Sequence, residues 1–213
     1  MGLVQKFVSN ARKPDGLLGK LMVTGMNVVH AALAECGCGF LGEEAPSSIL
    51  DIGCGGGANI KRFLKSIPGA CVTGLDYSSV SVEMARKLNA EAIAEGRCEI
   101  IQGDVSRVHL PTDKFDLATA FETVYFWPEI QRSVQNVFHN IVPGGRFLIV
   151  NESTGVDPSA VRYAKIIDGM NLYTPERLTD ILTATGFCKI EVHQAENAPW
   201  IAVLARKAGR EEE

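Results

Sequence analysis

Asp51-Ile52-Gly53-Cys54-Gly55-Gly56-Gly57 stands between an apolar run, Ile49 to Ile52, and a helical pattern through Ile60, Phe63, Leu64 and Ile67. An apolar run that breaks into glycines and resumes with helical spacing reads as strand, loop and helix. Glycines let such a loop bend sharply and let a ligand approach the main chain. The helix that follows aims its amide dipoles at the same crevice, which favours an anionic group there. Gly53, Gly55 and Ala58 also satisfy G-x-G-x-x-G/A, so the spacing admits a nicotinamide dinucleotide.

Outward from the loop, short apolar runs alternate with helical patterns, the mark of a parallel α/β sheet. Cys71 to Leu75, closed by Asp76, is a second strand. Ser78 opens one long helix to Gly96 with Val80, Met84, Leu88 and Ala92 on one face. Glu99 to Gln102 and Phe115 to Phe121 are the third and fourth strands. Pro128 opens a helix through Ile141, and Pro143-Gly144-Gly145 turns the chain into a fifth strand, Phe147 to Val150. Thr174-Pro175-Glu176 starts a capped helix that Gly186 stops. Lys189 to His193 and Trp200 to Ala205 are joined by too short a linker for a helix, so they pair antiparallel.

The chain has 213 residues, suited to one core with an appended segment. Residues 1–46 precede the repeating pattern and carry an amphipathic helix (Leu21, Val28, Val29, Ala32, Leu33), read as a helical lid after the Pro14-Asp15-Gly16 turn. The main domain then runs over 47–208, with 209–213 as a disordered tail. Composition is ordinary and globular, 46% hydrophobic and 22% charged. A net charge of -4 argues against nucleic-acid binding held by phosphate contacts. The longest apolar stretch, Leu21 to Ala34, is too short to span a bilayer, so no integral membrane association is expected. Six cysteines without a metal-type spacing, and no secretory h-region, fit a reduced cytoplasmic protein that binds no metal. Cys71 and Cys98 fall in apolar runs and read as buried thiols.

Three acids narrow the choice of cofactor. Asp51 stands at the mouth of the loop, Asp76 ends the second strand at the cleft edge, and Asp104 follows the third strand after Gly103. A carboxylate at the second strand's end accepts ribose hydroxyls. Three acids together suit a cationic sulfonium with an amino group better than a diphosphate. Asp51 to Gly57, Gly74-Leu75-Asp76-Tyr77-Ser78, Gly103-Asp104-Val105, Phe115-Asp116-Leu117 and Pro143-Gly144-Gly145 form an ordered set over about residues 47 to 150. That set resembles the motifs of class I S-adenosylmethionine-dependent methyltransferases, most closely small-molecule enzymes of the ubiquinone/menaquinone type.

The resemblance implies a Rossmann-like, doubly wound α/β fold with a mostly parallel seven-stranded sheet and a C-terminal antiparallel hairpin. It implies S-adenosyl-L-methionine as cofactor and S-adenosyl-L-homocysteine as product. By position, Gly53, Gly55 and Gly57 line the methionine and adenosine, and Asp51 sits near the amino group. Asp76 holds the ribose with Tyr77 beside the adenine. Asp104 and Val105 flank the adenine, and Phe121 closes the cofactor site at the end of the fourth strand.

In-line methyl transfer needs mainly alignment and exclusion of water, with a base where the nucleophile carries a proton. A small-molecule acceptor is expected beyond the fourth strand, where the chain reads Phe121-Glu122-Thr123-Val124-Tyr125-Phe126-Trp127. Glu122 and Tyr125 are the candidate acceptor contacts, and His30 in the lid is the candidate general base. Tyr125, Phe126 and Trp127 either wall an apolar acceptor or contact the sulfonium by cation–π attraction, or Phe126 and Trp127 merely pack the lid. Two rival readings use the same loop: a nicotinamide-dependent oxidoreductase, and a binding module that keeps the cofactor and methylates nothing. No motif encodes the acceptor atom or an oligomeric state.

Overall fold

The computed structural model describes residues 15–196 and 198–210. Seven strands form one sheet: β1 (Ser48–Ile52), β2 (Cys71–Asp76), β3 (Cys98–Gln102), β4 (Phe115–Phe121), β5 (Ile141–Asn151), β6 (Phe187–Gln194) and β7 (Ile201–Lys207). Their order is β3-β2-β1-β4-β5-β7-β6. The first five are parallel, whereas β7 pairs antiparallel with both β5 and β6. The Rossmann-like sheet and its antiparallel ending are therefore as expected. Strand order reverses between β1 and β4, and open sheets of this kind bind ligands at the carboxyl edge of that crevice.

Eight α-helices are described: α1 (Gly16–Val29), α2 (Ala31–Cys38), α3 (Ala58–Ser66), α4 (Ser79–Leu88), α5 (Ala90–Ala94), α6 (Ile130–Asn140), α7 (Pro158–Ala164) and α8 (Pro175–Thr185). They cover both faces of the sheet. One core layer gathers Ile52, Phe147, Ile149 and Trp127 under α6 and α8. The other gathers Ile49, Leu148, Val150 and Phe121 under α3, α4 and α2. The caps read from sequence are made. Ser78 Oγ accepts from the Ser81 amide at 3.3 Å and Thr174 Oγ1 from the Arg177 amide at 3.3 Å.

Several local readings are corrected. The helix after Ser78 breaks at Asn89, whose side-chain amide donates to the Gly57 carbonyl at 3.1 Å and to the Ala85 carbonyl at 3.0 Å. Its buried face is Val80, Ser81, Val82 and Ala85, while Leu88 points to solvent. Pro143-Gly144-Gly145 does not precede β5 but bulges within it, with a register shift between Phe115 and Leu117 on β4. Pro128 stands outside α6, which starts at Ile130 after a left-handed Glu129. All six cysteines are free, and Cys71 is exposed.

Among its described residues, the amino-terminal segment forms two α-helices with different attachments. In α2, Leu33 and Ala34 are buried in the core, and Gly37 packs so closely on β5 that a Cβ would lie 2.5 Å from Val150 Cγ2. Ala32, expected on the apolar face, is exposed. In α1, Val23 is buried but Leu21 is 69% exposed, and Lys20 reaches Glu83 on α4 at 3.2 Å. The side chains of Val28 and Val29, with Pro14 and the tail residues 211–213, lie outside the described residues. Among the described residues no helix is long and apolar enough to cross a membrane.

Candidate active site

The β1–α3 loop passes over β2. The amides of Gly53 and Cys54 donate to the Leu75 carbonyl at 2.7 and 3.1 Å. Gly53 has φ +72°, and a Cβ there would lie 2.3 Å from Thr123 Cγ2. Glycine is thus required by contact with the loop after β4. Gly55, at φ +52°, meets nothing within 4 Å, so a side chain there would enter the open space beside the loop.

That space is a cavity of about 270 Å³ at the carboxyl edge of β1, β2 and β4. Of the residues expected to hold a cofactor, Gly53, Gly55, Asp76, Tyr77, Asp104, Val105 and Phe121 line it. Asp76 is nearly buried and already ties the cavity floor together. Its Oδ2 accepts the Gly55 amide at 2.9 Å, and its Oδ1 accepts the Ser78 amide at 2.8 Å. Burial raises its pKa against those bonds. The carboxylate borders the cavity, as expected, and is also a strut between loop and helix. Asp104 receives the Ser106 amide and hydroxyl on Oδ1, both at 2.8 Å.

Two expected cofactor residues stand off the cavity. Asp51 is buried behind the loop, where Thr119 Oγ1 donates to it at 2.8 Å. Desolvation, with the charge of Asp76 nearby, raises its pKa to about 7. Gly57 faces α4, and a Cβ there would lie 2.5 Å from Asn89 Nδ2 and 3.0 Å from Ala85. Its role is close helix packing, not lining.

The far end of the cavity holds the acceptor-side candidates. Val23 and His30 border it from the amino-terminal helices, and Glu122, Thr123, Phe126 and Trp127 from the β4 edge. Trp127 is also core: it stacks on Phe147 at 6.1 Å and donates to Thr123 Oγ1 at 3.2 Å. Glu122 adopts φ 59°, a left-handed conformation costly for a side-chain-bearing residue. This turn brings its carboxylate back to the end of β5, where Oε1 accepts the Glu152 amide. Tyr125 is buried and stands off the cavity, donating to the same Oε1 at 3.2 Å.

Desolvation first, then the charge of Glu152, raises Glu122 to about 8 against these hydrogen bonds. Burial likewise drives the Tyr125 phenol well above its ordinary range. His30 Nε2 lies 3.8 Å from Glu152 Oε2. Burial lowers the His30 pKa, and Glu152 opposes that shift. No local pattern marks Glu152, a charged residue just past β5. Only the parallel pairing of β4 and β5 brings it beside Glu122.

The sheet order and the glycine loop after β1 define a Rossmann-like α/β fold. A family model described as "Methyltransferase domain" matches residues 49–145 of the chain. The chain is 33% identical over 134 residues to a mitochondrial ubiquinone biosynthesis O-methyltransferase of Schizosaccharomyces pombe, covering 62% of this chain and 46% of that protein. It is 26% identical over 147 residues to an O-methyltransferase of Pyrenophora dematioidea, covering 67% and 55%. The chain thus spans about half the length of these relatives. Among solved structures, human N-acetylserotonin methyltransferase in complex with its methyl donor superposes with a TM-score of 0.74 at 19% identity, covering 90% of this chain and 56% of that one. An O-methyltransferase-like protein from Nostoc punctiforme superposes with a TM-score of 0.77 at 16% identity, covering 91% and 61%. At such identities the structures speak for the fold.

Proposed function

We propose that the chain catalyses methyl transfer from S-adenosylmethionine to a small molecule in the cavity between the glycine loop and the β4 edge. The observation that carries this reading is the pairing of an open backbone surface at Gly55 with the Asp76 carboxylate on one cavity wall. Asp76 also takes a hydrogen bond from the Ser81 side chain, and the acceptor capacity it keeps beyond these three partners is suited to a ribose hydroxyl, with Asp104 and Val105 flanking the adenine. When bound, S-adenosylmethionine supplies a methyl group activated by a positive sulfur.

The chain's own task is then alignment and exclusion of water. Phe121, Phe126 and Trp127 give the far end an apolar wall, and Val23 roofs it from α1. Such walls suit a flat, largely apolar acceptor. The S. pombe relative is named for ubiquinone biosynthesis, and the same kind of acceptor is proposed here. The acidic lining disfavours a dinucleotide diphosphate.

Thermal unfolding with S-adenosylmethionine, S-adenosylhomocysteine, NADH and NADPH in turn tests the reading. Both adenosyl compounds should raise the midpoint by mass action and neither nicotinamide should. A rise with NADH alone would replace the proposal with an oxidoreductase. Binding without release of S-adenosylhomocysteine from a metabolite extract would make the chain a binding module.

A further inference from the structure

We propose that a second cavity, at the opposite edge of the sheet from the glycine loop, binds a small molecule through a doubly charged anionic group such as a phosphate monoester, which displaces the Glu44 carboxylate from two arginines set side by side. This cavity, of about 600 Å³, lies between Glu44, the bulge of β5, the start of β6 and the end of β7. It shares no lining residue with the cavity beside Gly55, so the proposal stands apart from the methyl-transfer reading. Arg146, Lys189, Arg206 and Arg210 face Glu44 and Glu191 in its walls. Cations thus outnumber carboxylates here, in a chain whose net charge is -4.

Two backbone features gather the cations. Arg146 of β5 and Arg206 of β7 are register partners in the antiparallel pair. Like charges directly opposite across a ladder are unfavourable, and Arg146 is only 5% exposed, so water screens the pair poorly. Lys189 adopts φ 47° at the register shift between Cys188 and Glu191. A left-handed backbone is costly for a residue with a side chain, and bulges of this kind re-aim side chains. Here the bulge brings Lys189 to the cavity wall. A fold that sets one cation against another, and strains its backbone to add a third, suits a site that receives negative charge.

Glu44 occupies the receiving position. Its Oε2 accepts Arg206 Nη2 at 3.0 Å and lies 3.8 Å from Arg146 Nε. The hydrogen bond from Arg206, then the charges of Arg206 and Arg146, hold Glu44 below the ordinary glutamate pKa. Desolvation lowers the Arg146 pKa, Glu44 opposes that shift, and Arg206 adds to it. Asp116, the other carboxylate acting on Arg146, is taken up by the amides and hydroxyls of Ser47 and Ser48. Glu191 stands 3.3 Å from His193 Nε2. One oxygen of Glu44 therefore serves both guanidinium groups from a side chain that is 66% exposed, so a ligand can replace it without opening the core. The guanidinium planes stay fixed in that exchange. Arg146 donates to the Leu41 and Glu44 carbonyls and Arg206 to the Gly144 carbonyl, all of them backbone. A phosphate group brings more charge and more acceptor oxygens than one carboxylate, and guanidinium forks match its geometry.

The test uses the full chain, with inorganic phosphate as the probe at constant ionic strength. Amide NMR of the wild type should show saturable shifts centred on Gly144, Lys189 and Arg206, with the glycine loop unmoved. Arg206→Gln and Lys189→Gly should each weaken binding about tenfold, the loss expected for a hydrogen bond to a charged group. Glycine suits the left-handed backbone at position 189, so a loss in Lys189→Gly reports the missing cation and not the fold. Glu44→Gln removes the resident carboxylate and should tighten binding about threefold, the scale of an exposed ion pair. The proposal is overturned by no saturable shift in the wild type, by wild-type affinity in both Arg206→Gln and Lys189→Gly, or by weaker binding in Glu44→Gln. It is equally overturned if a single-stranded oligouridylate binds more tightly than phosphate and displaces it, which would make the patch a nucleic-acid surface.

Discussion

Asp76 Oδ2 accepts the Gly55 amide at 2.9 Å, so the carboxylate that ends β2 also fixes the glycine loop of β1. Its other oxygen holds the Ser78 amide at the start of α4. One side chain therefore positions two elements that line the cavity. Asp76→Ala should weaken S-adenosylmethionine binding by about one to two orders of magnitude, from the roughly 1.5–3 kcal/mol of a hydrogen bond to a charged group. The same variant should lose about 1–3 kcal/mol of stability, since two amides lose their acceptor. Urea unfolding beside calorimetry separates the two effects. An unchanged midpoint would mean the strut carries no stability.

Neighbouring glycines should fail differently. Gly53→Ala places a Cβ against Thr123 at a left-handed φ, so it should unfold at lower temperature, and Thr123→Ser should restore part of the loss by removing Cγ2. Gly55→Val places its Cβ in open space, so despite its own left-handed φ it should melt above Gly53→Ala while abolishing cofactor binding. Equal melting of the two variants would contradict this division of roles.

Glu122 carries a pH signature. Its folded pKa, about 8, lies above the ordinary glutamate value of 4.5. A raised acid favours the folded state below the ordinary value and loses that contribution as pH rises through the folded one. Glu122→Gln mimics the protonated form, so its stability relative to wild type should rise between pH 5 and pH 9. Melting curves at the two pH values check the sign. A constant difference would show that Glu122 ionises as freely in the folded chain as in the unfolded one.

The two amino-terminal helices should respond separately to ligand. Val23 of α1 borders the cavity, while α2 is seated in the core against Val150. Hydrogen exchange should slow in α1 when S-adenosylmethionine binds and stay unchanged in α2, making α1 the moving part of the proposed lid. Equal slowing of both would make residues 16–38 one unit.

The sheet and most of the cavity wall were legible because they follow from local signals. Period, punctuating Gly and Pro, and acids at strand ends all lie within a few residues of what they determine. Asn89 escaped because the helical period continues through it, and only the Gly57 carbonyl across the helix interface gives its amide a reason to break the helix. Pro143 misled because a β-bulge and a turn share the same residue types. Asp51 and Gly57 were placed on the cavity by motif position, whereas burial behind the loop and packing on Ala85 are tertiary facts. The approach of His30 to Glu152 depends on where α1 ends over β5, which no local pattern records.

The central claim is that the cavity beside Gly55 and Asp76 holds S-adenosylmethionine. Calorimetric titration of this ligand into the wild type and into Gly55→Val tests it most directly. One site of saturable binding in the wild type, absent from a variant that still unfolds cooperatively, is the result predicted. Binding of equal affinity in the folded variant, or no binding in the wild type, would contradict it.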